Sequence, residues 1–151
     1  LADVRRLNND LRAASGDPAT GRLLFRENCG KCHTLYGEGT QLGPDLTTAN
    51  RQDRQYLLTS IVDPSTVVRK EHMAFVLATT DGRILTGMLV EETPASVTLL
   101  DAENRRHTVS RGEIDALEPA TTSLMPERLL EKLSPQALRD LFAYLQTTAP
   151  P

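Results

Sequence analysis

The chain has 151 residues, of which 39% are hydrophobic, enough for one ordinary core or one core with a small module set into it. Asp and Glu outnumber Lys and Arg by 20 to 17, and the formal charge of -3 comes with scattered rather than clustered basic residues, which argues against a nucleic-acid partner. No apolar run approaches the roughly 20 residues of a membrane-spanning helix. The chain starts Leu1-Ala2-Asp3, without an initiator Met or secretory signal, so it reads as a mature form or an excised domain.

In residues 1–16, Leu1, Val4, Leu7 and Leu11 recur at helical spacing before Gly16. They predict a short amphipathic helix, or a linker, that packs on its own domain or against a second copy. Asp17-Pro18 then supplies an N-cap and a first-position proline for a helix through "DPATGRLLFREN", with Leu24 and Phe25 available to a core. That helix delivers "CGKCH". Beyond it, Gly37, Gly39, Gly43 and Pro44 predict an irregular loop, and "RQDRQYLLTSIVDPS" predicts a second helix stopped at Asp63-Pro64.

From about residue 70 the apolar period changes from helical to alternating. "HMAFVLATT" and "GRILTGMLV" read as strands joined at Asp81-Gly82, "SVTLL" and "RRHTVS" as a second pair, and "IDAL" as a fifth strand. Gly87 in mid-strand suggests a sharp bend of the kind a small barrel needs. Helical character returns with "MPERLLEKL" and with "SPQALRDLFAYLQ", whose cap is Ser134-Pro135 and whose stripe is Leu138, Leu141, Phe142 and Leu145. The expected organisation is an N-terminal helix or linker (1–16), a mostly α domain in two pieces (17–69 and 119–151), and an inserted antiparallel β module (70–118), barrel-like.

Both cysteines of the chain lie in the C-x-x-C-H stretch, as Cys29 and Cys32 beside His33. A dithiol redox pair normally opens a helix, where the dipole lowers a thiol pKa, and here the helix comes first. Zinc wants four ligands, and the other histidines, His72 and His107, stand alone in strand-like segments. Covalent haem accounts for the whole set, because two thiols reach the two vinyl groups and the adjacent imidazole becomes an axial iron ligand.

The second axial position points to Met125 in "SLMPE", on an irregular segment before the last helix, since a thioether is a soft ligand that favours ferrous iron. His33 and Met125 are 92 positions apart (125 minus 33). Removing an insert of about 50 residues leaves roughly 40, which a compact haem domain can close. Met73, Met88 and His72 are rivals placed in the insert.

These stretches, with "GEGTQLGPDLT", "YLLTSIVDPS" and "DGRILTGMLVEET" in the same order, resemble the c-type cytochromes. The β insert is similar to that of the haem-binding domain first defined in Pirellula and Verrucomicrobium proteins. The resemblance implies one haem c per chain, with the carbonyl of Pro44 accepting a hydrogen bond from the proximal His33. It also implies Leu46, Tyr56 and Leu57 lining the haem pocket and Arg51 meeting a propionate. The subgroup often has an aromatic residue near the position of His72, so His72 stays a rival to Met125.

The function implied is non-enzymatic carriage of single electrons in the periplasm or another exported compartment. Its partners would be redox proteins, among them a fused or associated dehydrogenase. Two other classes stand beside it: a haem-based sensor with a labile or non-Met sixth ligand, and a cytochrome whose β insert docks a partner or holds a homodimer together.

Overall fold

The computed structural model of the chain describes residues 2–64, 74–121, 123–126 and 128–151. They fall into two compact units, one of residues 1–66 and 126–151, the other of residues 67–125. Among the described residues no helix is long and apolar enough to cross a membrane.

The first unit is helical: α1 (Ala2–Ala13), α2 (Pro18–Asn28), α3 (Arg54–Val62) and α4 (Pro135–Leu145). Local chemistry sets the starts of the last three. The Asp17 carboxylate accepts the N–H groups of Ala19 and Thr20, Asp53 accepts that of Tyr56, and the Ser134 hydroxyl accepts that of Ala137. Pro18 and Pro135 each take a first-turn position where a missing N–H costs nothing. Val4, Leu7 and Leu11 form the buried stripe of α1, which packs against α3 and α4.

The closest helix contact is between α2 and α4. A Cβ on Gly21 would stand 1.9 Å from the carbonyl oxygen of Asp140, so only glycine permits this approach. Four residues on, Phe25 is fully buried against Tyr144, with ring centroids 5.6 Å apart and planes inclined at 60°. The Asp140 carboxylate, 7% exposed, accepts the Asp17 N–H at 2.8 Å and the Gln136 amide at 3.0 Å. A buried acid is thereby satisfied while the start of α2 is fastened to α4.

Between α2 and α3 the chain is more ordered than its glycines suggest. Thr34–Leu35 (β1) pairs antiparallel with Glu38–Gly39 (β2) around Tyr36 and Gly37, both at positive φ (52° and 78°). Two successive left-handed residues are what a two-residue hairpin turn requires. Conversely, the helix expected over 125–133 is absent among the described residues. Residues 128–133 form isolated turns closed by Glu131 N–H to Arg128 and Leu133 N–H to Leu130, both at 3.2 Å. Arg128 sits at φ 66°, a left-handed conformation that a right-handed helix cannot incorporate.

The second unit is one antiparallel sheet of β3 (Ala74–Thr79), β4 (Ile84–Glu92), β5 (Ser96–Leu100), β6 (Arg106–Ser110) and β7 (Ile114–Pro119), in the order β6-β5-β4-β3-β7. Leu77, Val97, Leu99 and Val109 form its buried centre, with Phe75, Leu85, Leu89, Ile114 and Leu117 around them. The expected barrel is not closed among the described residues, where no ladder joins β6 to β7. The sheet is nevertheless curled. Flat, its outer strands would be about 19 Å apart, whereas the four Cα steps across Arg111–Glu113 reach about 14 Å at most.

Nor does Gly87 mark the bend. It pairs in register with Phe75, and its lack of a side chain accommodates the Leu100 carbonyl oxygen, 2.6 Å from where a Cβ would lie. The irregularity of β4 falls between Leu89 and Glu91.

Gly21→Ala is expected to lower the unfolding free energy by about 2 kcal/mol. The separation of α2 from α4 outweighs the roughly 1 kcal/mol by which alanine favours a helix. A urea titration followed by circular dichroism checks this, and an unchanged or raised midpoint would contradict the contact.

Candidate functional site

The C-x-x-C-H stretch begins where α2 ends. Cys29 is the C-cap of that helix, its N–H donating to the Phe25 carbonyl at 2.8 Å, and its own carbonyl accepts the N–H groups of Cys32 (3.1 Å) and His33 (2.9 Å). The motif is thus wound into one tight turn, with both cysteines and the histidine half-buried. The following loop folds back on it: Thr40 N–H donates to Gly30, and the N–H groups of Leu42 and Gly43 donate to Cys32 at 3.0 and 2.6 Å.

Nδ1 of His33 lies 2.8 Å from the carbonyl oxygen of Pro44. A carbonyl can only accept, so Nδ1 carries the proton, and the basic lone pair of the neutral ring is on Nε2. Gly43 makes the approach possible. A Cβ there would be 2.7 Å from Cε1 and 3.1 Å from Nδ1 of His33. Gly39, at φ 112°, is equally constrained, since a Cβ on it would meet the His33 carbonyl oxygen at 2.1 Å. The loop glycines were legible as breakers; that two of them exist to accommodate His33 was not, because nothing in their spacing says which side chain they face.

The thiols are not joined in a disulfide. Burial, with the neighbouring Cys32 adding to it, pushes the Cys29 thiol up to about 12. Its place at the negative end of α2 acts in the same direction. A thiol held protonated at neutral pH is unsuited to attack a disulfide, which weighs against a dithiol redox pair. Among the described residues, no three His, Cys, Asp or Glu side chains converge as a metal-binding group, which weighs against zinc.

The remaining predicted residues are distributed as follows. Leu46, half-buried, opens a short 3-10 turn (Leu46–Thr48) capped by the Asp45 carboxylate, which Thr47 holds below the usual carboxylate range. Tyr56 is half-buried and Leu57 buried, on adjacent positions of α3. Met125 is half-buried at the end of the second unit, its N–H donating to the Ser123 hydroxyl at 3.1 Å. Met88 lies in β4, and His107 bonds the Asp101 carboxylate at 2.7 Å. His72 and Met73 lie outside the described residues.

Arg51 is occupied differently from the expectation of a propionate partner. It is only 7% exposed, and its guanidinium donates to the carbonyls of Leu46 (2.8 Å), Leu145 (2.7 Å), Thr147 (2.7 Å) and Thr47 (3.2 Å). A cation set against the C-terminal carbonyls of α4 is favourably placed in the helix dipole. It also lies 5.3 Å above the ring of Tyr36, whose hydroxyl reaches the carbonyl of Thr147 at 2.8 Å. Tyr36 carried no signal in the sequence beyond standing next to Gly37.

No curated protein matches the chain. The family model described as Cytochrome c matches residues 18–83, from the first turn of α2 through Cys29, Cys32, His33, Pro44 and α3 to the end of the β3–β4 turn, stopping short of Met125. That match, laid over a C-x-x-C-H turn with its histidine ring fixed, supports a c-type cytochrome, that is, a haem-binding electron-carrier domain.

Proposed function

We propose that the chain is a monohaem c-type cytochrome domain of the Pirellula and Verrucomicrobium type. In this reading Cys29 and Cys32 would hold haem c by thioether bonds, and His33 and Met125 would ligate its iron. The observation that carries the reading is the His33–Pro44 hydrogen bond at 2.8 Å. A protonated Nδ1 on a fixed acceptor presents Nε2 as the ligating atom, holds the ring against rotation and raises its basicity.

The residues present fit the group. Two thiols in one turn match two attachment points, Gly43 leaves room beside the imidazole ring, and Gly39 leaves room at the His33 carbonyl. Haem, when bound, supplies one-electron exchange between ferric and ferrous iron. The chain's part is to fix the ligands, exclude water and set the electrostatics. Apolar residues of α3, Leu57 first, together with Leu46, provide a low-polarity wall that disfavours the more positive oxidised state and raises the potential. Ligation by a second side chain leaves no open position for substrate, so the domain exchanges electrons and does no further chemistry.

Its partners are then redox proteins, a dehydrogenase among them, and a partner with a positive patch would be favoured by the net charge of -3. Covalent haem attachment of this type implies an exported, periplasmic setting. Met125 lies beyond the matched residues, and its assignment rests on the Ser-Leu-Met-Pro-Glu context and on thioether chemistry.

The test is spectroscopic. Protein made with cytochrome maturation machinery is expected to give a haem c pyridine haemochrome and the weak far-red ferric band of a methionine ligand. Met125→Ala should abolish that band and lower the midpoint potential, while haem stays attached. Retention of the band in Met125→Ala would move the ligand elsewhere. Gly43→Ala is expected to press on the His33 ring, breaking its bond to Pro44 and costing about 1 to 3 kcal/mol of stability. Denaturation of the ferric protein followed at the Soret band measures this, and wild-type stability would contradict the close fit of Gly43 to the ring.

A further inference from the structure

α3 carries a buried polar atom with nothing to bond. Among the described residues, the Ser60 Oγ is the one buried side-chain nitrogen or oxygen without a hydrogen-bond partner. A helical serine ordinarily satisfies itself by donating to the carbonyl four residues back, which here is that of Tyr56, and this bond is not made. A buried hydroxyl left unsatisfied is destabilising, and alanine would remove the penalty while favouring the helix. The hydroxyl makes physical sense where an acceptor outside the chain completes it.

Its place on the helix says which acceptor. Ser60 comes four residues after Tyr56 and three after Leu57, so the three side chains share one stripe of α3. The adjoining stripe is committed elsewhere, because Ile61 and Val62 line a cavity with Asp3, Arg6 and Leu7 of α1. Tyr56 and Leu57 are the α3 residues assigned above to the haem pocket.

We infer that the Ser60 hydroxyl donates a hydrogen bond to a propionate oxygen of bound haem. The inference rests on the haem reading above. The donor draws electron density from that oxygen, weakening its negative charge near the iron, and so stabilises ferrous over ferric iron.

The experiment compares Ser60→Ala and Ser60→Thr with the wild type, all as holoprotein with covalent haem. A pyridine haemochrome of the wild type comes first, since its absence would defeat the haem reading itself and leave nothing to compare. If Ser60 bonds the bound group, Ser60→Ala lowers the midpoint potential and raises the unfolding equilibrium constant roughly two- to tenfold. Ser60→Thr, which keeps the hydroxyl, stays near the wild type in both. The propionate acceptor shows itself in Ser60→Ala as a rise in the pH at which the potential changes, and an unmoved pH profile contradicts it. Ser60→Ala with an unchanged potential and equal or greater stability, as removal of a merely orphaned hydroxyl would give, overturns the inference.

Discussion

The bare contact between Gly21 of α2 and the Asp140 carbonyl of α4 is the constraint from which the site is built. It brings Phe25 onto Tyr144, and the turn that starts at Cys29 hangs directly from the Phe25 carbonyl. On the other side of the motif, the end of α4 is held to the loop by the Arg51 guanidinium and the Tyr36 hydroxyl, which reach Leu145 and Thr147. One helix therefore anchors the chain both before and after Cys29 to His33. The site is tied to α4 at both flanks, although the motif itself belongs to a loop.

Within that frame the motif is fixed almost wholly by backbone. The carbonyls of Cys29, Gly30, Cys32 and Pro44 all accept hydrogen bonds in or onto the turn, so the positions of the thiols and the imidazole depend little on neighbouring side chains. The side chains that matter are the missing ones, at Gly39 and Gly43. The same backbone arrangement leaves Cys29 half-buried and its thiol high in pKa, inert toward disulfide exchange. A covalent thioether removes the titration altogether, so a site poorly suited to thiol redox chemistry loses nothing when it serves as an attachment point.

Much of the helical unit was legible because its signals are local. Asp17-Pro18, Ser134-Pro135 and the stripe of Leu138, Leu141, Phe142 and Leu145 specify their helices by capping and period, and α2 and α4 begin where those residues put them. The five strands were readable from alternation and the Asp81-Gly82 turn. What failed was non-local. Sheet closure depends on whether β6 and β7 pair, which no strand's own sequence encodes. The stretch 128–133 has a helical apolar pattern but is interrupted by a left-handed Arg128 that no residue type announces. Arg51 was expected to meet a haem propionate, and two of the carbonyls that hold it instead lie 94 and 96 positions away. In the site, the Cys29, Cys32 and His33 triplet was plain from spacing alone, whereas the Tyr36 bridge and the His33-facing role of Gly43 depend on contacts that only folding creates.

The central claim is that Cys29 and Cys32 are attachment points for one haem, and the intact mass of the mature protein tests it most directly. The account predicts the mass of the chain plus a single haem, surviving denaturation, with neither cysteine open to alkylation. A bare chain that takes two alkyl groups, purified from cells with an active cytochrome maturation system, would contradict it.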